Sequence, residues 1–151
     1  MCIRDRKLTV QFLENGEFDL PTEETMLRWI EACIERDTTL NVLFVDAEEG
    51  LALNSQYRHK DYATNVLTFD YQHEPEAIAD LAICVPVLIR EAKEQEKTFE
   101  EHLAHLLIHG ALHAHGYDHM NDEEAEVMES KEIRALMQLG FDNPYADREL
   151  V

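Results

Sequence analysis

An α+β fold, a mixed four-stranded sheet with about five helices packed on it, is what this sequence predicts, and three observations predict it. The chain has 151 residues, 45% of them hydrophobic and 30% charged. That is the balance of one soluble domain with a proper core, and it excludes a globally disordered chain. Four stretches read as strands and five as helices, in the order β-α-β-α-β-β-α-α-α. One helix in the second half is apolar nearly all round, which makes it a central, buried element. No repeat, low-complexity tract or linker interrupts residues 1–151, so a single domain is expected. Met1 to Arg6 fit poorly with the strand pattern that begins at Lys7 and are expected to be a frayed or non-native end.

Residues 7–14 alternate Leu8, Val10 and Phe12 with polar partners, as a half-buried strand does. Pro21 and Thr22 open a helix with Glu23 and Glu24 in its first turn and Leu27, Ile30 and Ile34 on its apolar face, running to about residue 36. Residues 40–45 are a Val, Leu and Phe-rich strand, and a helix over about 47–58 comes next. Residues 66–69 and 78–85 form two more strands around a turn containing His73 and Pro75. Pro86 suits the first position of a helix reaching about residue 97. Thr98 and Glu101 make a capping box for the next helix, which runs to about residue 115 and can end on Gly116 in the left-handed conformation. Asn121 or Asp122 caps a last long helix, closed by Gly140.

Thirteen Lys and Arg against 32 Asp and Glu give a net charge of −19. Such a balance disfavours a general nucleic-acid binder and favours attraction of cations, metals included. A small basic spot remains compatible with it, and Arg58, His59 and Lys60 are the densest basic cluster outside the N-terminus. No apolar run is long enough to span a bilayer, and no secretory pattern comes after the N-terminal charges. Cys2, Cys33 and Cys84 are an odd set without a pairing pattern, which fits a reducing cytoplasm.

Six of the eight histidines lie between His102 and His119. His109 and His113 are one turn apart on one helix face, the spacing at which two imidazoles can grip one metal ion without distorting the helix. Gly116 permits a sharp turn that returns His119 as a third ligand. Three neutral nitrogen ligands with an open fourth position is the arrangement of catalytic zinc, which lowers the pKa of its water to roughly 7. The spacing equals the H-E-x-x-H-x-x-G-x-x-H pattern of metzincin proteases, but Gly110 stands where the protease keeps its glutamate base, so that peptidase mechanism is disfavoured. Glycine at this position also suits close packing against a neighbouring element. His102 and His105 share the ligand face. His102 reads as polar filling; His105 reads either as filling or as a neighbour that supports a ligand. His115 projects elsewhere and is expected in solvent. Asp118 suits either a hydrogen bond to a ligand imidazole or a cap on the chain reversal.

The run from His109 to His113, followed by Gly116, Tyr117, Asp118 and His119, resembles the signature of the YbeY endoribonucleases, the bacterial rRNA maturation factors. Leu53 to Arg58 with Thr64 to Phe69, the strand Asp80 to Cys84, the acidic start of the last helix, and Gly140 and Phe141 with Asn143 to Tyr145 are similar to further blocks of that family. Ala114 and His115 depart from the leucines usual there, at positions that are not ligands. The resemblance implies a zinc-dependent, single-strand-specific endoribonuclease in the cytoplasm. Its roles would be maturation of ribosomal RNA, notably the small-subunit 3′ end, and late ribosome quality control. It implies one Zn²⁺ per chain on His109, His113 and His119, catalytic roles for Arg58 and for the ligand His109, and RNA, the small ribosomal subunit and assembly factors as partners. Two alternatives stand beside it: a zinc hydrolase of another class, with Asp118 or a glutamate of the last helix as base, and a ribosome-assembly binding factor with a structural metal.

Overall fold

The computed structural model describes residues 7–14, 20–46, 48, 52, 66–117 and 121–141. Met1 to Arg6 and residues 53–65 lie outside the described residues. Of the expected helix over 47–58 only Glu48 and Ala52 are described, and both are helical. Four strands are seen: β1 (Leu8–Glu14), β2 (Thr38–Val45), β3 (Val66–Gln72) and β4 (Ala77–Cys84). The helices among the described residues are α1 (Glu23–Glu31), α2 (Val85–Glu94), α3 (Phe99–Ala114) and α4 (Asp122–Gln138).

The sheet order is β1-β2-β4-β3. β1 and β4 both run parallel to β2, and β3 runs antiparallel to β4, so the sheet is mixed as the sequence predicts. Alternation decides its buried face. Leu40, Val42 and Phe44 of β2 and Ala77, Ala79, Leu81 and Ile83 of β4 are buried against the helices. On the opposite face Asn41 and Tyr71 donate hydrogen bonds to the two carboxylate oxygens of Asp80, at 2.9 and 2.7 Å. Cys33 and Cys84 are buried free thiols, and burial pushes Cys33 up to about 12.

Helix α3 is the centre of the molecule. Leu103, Leu107, Ile108 and Leu112 are all 0% exposed, each burial contributing about 2 kcal/mol. The helix touches α1, α2, α4, β3 and β4. Thr98 caps it by accepting from the Glu101 N–H at 3.1 Å, and Asn121 caps α4 by accepting from the Glu124 N–H at 2.9 Å. Pro86 is the second residue of α2 rather than the first, still within the turn whose N–H groups have no helical partner.

α1 ends at Glu31, short of the expected end near residue 36. The reason is tertiary. The Ala32 and Cys33 N–H groups turn back to Trp29 and Ile30, closing the helix tightly. The chain beyond is then taken by the end of α3: the Glu35 N–H donates to His115 Nε2 at 3.1 Å, and Arg36 Nη1 donates to the carbonyls of His115 and His73 at 3.1 and 2.9 Å.

Gly110 faces β4, where an added Cβ would lie 2.8 Å from both methyls of buried Leu81. A Gly110→Ala change gains about 1 kcal/mol of helix propensity but overpacks the core at a cost of about 1–3 kcal/mol. The expected result is a melting temperature lower by about 3 °C. An unchanged or higher value in calorimetry would mean that Leu81 turns away freely. Gly110→Glu, driving a carboxylate into the same contact, should destabilise further and create no peptidase, because position 110 looks at the sheet.

Candidate metal centre

His109 and His113 occupy the last turns of α3, with Gly110, Ala111 and Leu112 buried between them. Their rings meet edge to face with centroids 4.6 Å apart, and the two Nε2 atoms approach to 3.1 Å. What each Nδ1 touches assigns the protons. His113 Nδ1 lies 2.9 Å from the Tyr117 carbonyl, which can only accept, so Nδ1 carries the hydrogen. His109 Nδ1 lies 3.1 Å from Glu132 Oε2 and donates to that carboxylate.

With both rings neutral the two Nε2 lone pairs face one point, and at 3.1 Å that contact is satisfied by a proton or a metal cation between them. Two nitrogens on one tetrahedral zinc stand about 3.3 Å apart, so the donor pair suits such an ion. Among the described residues no group of three His, Cys, Asp or Glu side chains is placed to hold one metal. The expected third ligand, His119, lies outside the described residues, as do Asp118 and Arg58 with its neighbours His59 and Lys60.

Glu132 of α4 is 1% exposed and joins two imidazoles: His105 Nε2 donates to Oε1 at 2.5 Å and His109 Nδ1 to Oε2. Burial raises its pKa, but these two hydrogen bonds outweigh burial and hold the carboxyl well below its usual value, so it is ionised. His105 thus shares the carboxylate that His109 Nδ1 bonds, with its own Nε2 on Glu132. The alternatives read from sequence included a glutamate of the last helix without choosing one. A signal was available: Glu132 lies in the stripe of Met128, Ala135 and Leu136, the buried face of α4.

His102 is buried and pairs with Glu91 at 2.9 Å, and its desolvation outweighs the carboxylate to keep its pKa low. The expectation that His115 is solvated is overturned. It is 5% exposed, with Nδ1–H donating to the Ala111 carbonyl at 2.8 Å and Nε2 accepting from the Glu35 N–H. It ties the end of α3 to the chain after α1. Gly116 has φ of +100°, and a Cβ there would meet His73 Nδ1 at 3.3 Å, so glycine is needed for both turn and space.

Tyr117, whose carbonyl holds His113, is itself held. Its hydroxyl donates to Glu35 Oε1 at 2.6 Å, and Lys131 Nζ donates to Glu35 Oε2 at 2.6 Å while sitting 4.8 Å from the Tyr117 ring centre. Burial raises Glu35, but Lys131 and Tyr117 outweigh it and lower the carboxyl from its usual value; Lys131 is raised, chiefly by Glu35. A lowered carboxyl adds stability that is present above its unfolded pKa and lost as pH falls through the folded one. A raised lysine adds stability that is lost as pH rises through its folded value. Glu35→Gln should therefore lower stability by about 1 kcal/mol or less at pH 7, and the gap should vanish well below pH 4. A gap independent of pH in urea titrations would assign the loss to packing.

A family profile described as endoribonuclease YbeY matches residues 13–140. A protein of Albidiferax ferrireducens described by the same words is 58% identical over 143 residues, covering 91% of this chain and 96% of that one. One from Delftia acidovorans with that description is 50% identical over 153 residues, covering 97% and 99%. The solution structure of a Thermotoga maritima protein superposes with a TM-score of 0.58 at 26% identity, covering 87% of this chain and 91% of that one.

Proposed function

This chain belongs to the endoribonuclease YbeY family, and from that premise and its imidazole pair we propose that it is a metal-dependent endoribonuclease that hydrolyses single-stranded RNA. The observation that carries the reading is the pair of Nε2 atoms 3.1 Å apart, each ring held by a partner on Nδ1. His119 completes the ligand set in this proposal, with one Zn²⁺ per chain. The chemistry these histidines would hold in place with Zn²⁺ bound would be Lewis-acid polarisation and activation of water near neutral pH. The chain's own groups do the rest. Glu132 and the Tyr117 carbonyl keep the Nδ1 protons in place. Arg58 grips phosphoryl oxygens through its planar fork as negative charge builds there.

The substrate in this reading is ribosomal RNA, with the small-subunit 3′ end as the processing site, and quality control of late ribosomes is a second role. The net charge of −19 keeps casual RNA binding weak, which suits a substrate delivered on the small ribosomal subunit or by assembly factors in the cytoplasm. No helix among the described residues is long and apolar enough to cross a membrane. A peptidase using Glu132 as base is less favoured, because Glu132 is 1% exposed and already accepts from two histidines. The test is incubation of zinc-loaded protein with one RNA sequence in single-stranded and duplex form. Cleavage of the single strand, abolished by chelation, is expected; equal cleavage of both forms, or cleavage by the chelated protein, refutes it.

A further inference from the structure

We propose that Lys131 and Glu132, neighbours on α4, are positioning residues for the two imidazoles, each acting on one ring through its own hydrogen-bond chain. The proposal rests on the reading of His109 and His113 as metal ligands.

Adjacent helix residues project about 100° apart, so the two side chains leave α4 in different directions. Glu132 turns inward and accepts directly from His109 Nδ1–H, with His105 donating to its other oxygen. Lys131 donates to Glu35, Glu35 accepts from the Tyr117 hydroxyl, and the Tyr117 carbonyl accepts from His113 Nδ1–H. Glu35 is further fixed through its backbone N–H, which donates to His115 Nε2. The two chains as described have no side chain in common until they reach the ligand pair.

Both rings need such anchors. The two Nε2 atoms meet at 3.1 Å, and turning either ring away would break up the donor pair. The bonds to Glu132 and to the Tyr117 carbonyl oppose that turn and keep both nitrogens pointed at one place. Outer partners of this kind orient metal-binding histidines, and losing one costs about 10–100-fold in affinity.

The experiment measures zinc affinity by chelator competition and, in the metal-free protein, the ring ¹⁵N signals of His109 and His113. The proteins are the parent, Lys131→Met, Glu132→Gln, the double variant and Lys131→Arg. Each of the first two should weaken zinc about 10-fold, the losses should multiply in the double variant, and Lys131→Arg should bind as the parent does. Because the rings touch, both respond, but Lys131→Met should move the signals of His113 more than those of His109, and Glu132→Gln those of His109 more than those of His113. Glutamine keeps the shape of the buried side chain, so loss of fold does not stand in for loss of positioning. Parental affinity in both single variants, or equal disturbance of both rings by either one, overturns the proposal. A parent that binds no zinc overturns the metal reading instead, and the ring signals still decide the positioning.

Discussion

His113→Ala should leave the purified protein unable to retain zinc. The change removes one of the two nitrogens that face each other at 3.1 Å, and His109 keeps its bond to Glu132 but has no companion on α3. The loss of affinity should exceed the roughly 100-fold that removal of an outer partner causes. Because a metal that binds only the folded state stabilises it by mass action, the parent at free zinc 100 times its Kd gains about 2.7 kcal/mol, or about 8 °C in melting temperature. The variant should lose that gain and melt where the chelated parent does. His115→Ala is the informative contrast. His115 bonds the Ala111 carbonyl and the Glu35 N–H, so its removal should lower the melting temperature with and without zinc and leave metal content near one per chain. Elemental analysis of untagged protein reads both. Full zinc in a folded His113→Ala protein would refute the site.

Arg58→Ala should abolish most RNA cleavage while zinc content and melting temperature stay close to the parental values. A donor aimed at charge that appears only in the transition state is worth about 100-fold or more in rate when the site is dry and preorganised. Arg58→Lys should recover part of the loss, since an ammonium supplies the charge without the bidentate fork. If Arg58 merely closes a helix, both variants should cleave RNA at the parental rate and lose at most about 1 kcal/mol of stability. Cleavage rate, zinc content and melting temperature measured on the same preparations separate the two cases. Rapid cleavage by zinc-loaded Arg58→Ala protein would remove the residue from the mechanism.

Much of this protein is legible along the chain. Period-two alternation in β1, the caps Thr98 and Asn121, and the left-handed Gly116 are properties of a few neighbouring residues, and they stand where the sequence places them. The same holds for His109 and His113: an i, i+4 spacing puts two side chains on one helix face whatever surrounds the helix, so their juxtaposition follows from helix geometry. Periodicity states which residues share a face, but it does not state what that face meets. Only the tertiary structure, by setting β4 between β2 and β3, puts Leu81 against Gly110, and only the capture of Glu35 and Arg36 by the end of α3 stops α1 at Glu31 and buries His115. Glu132 shows the division most clearly. Its place on the apolar stripe of α4 is a local fact, whereas its two imidazole partners lie 27 and 23 residues away on α3. A buried carboxylate is stable only where distant donors converge on it, and that convergence is set by how whole helices pack, which no run of neighbouring residues encodes.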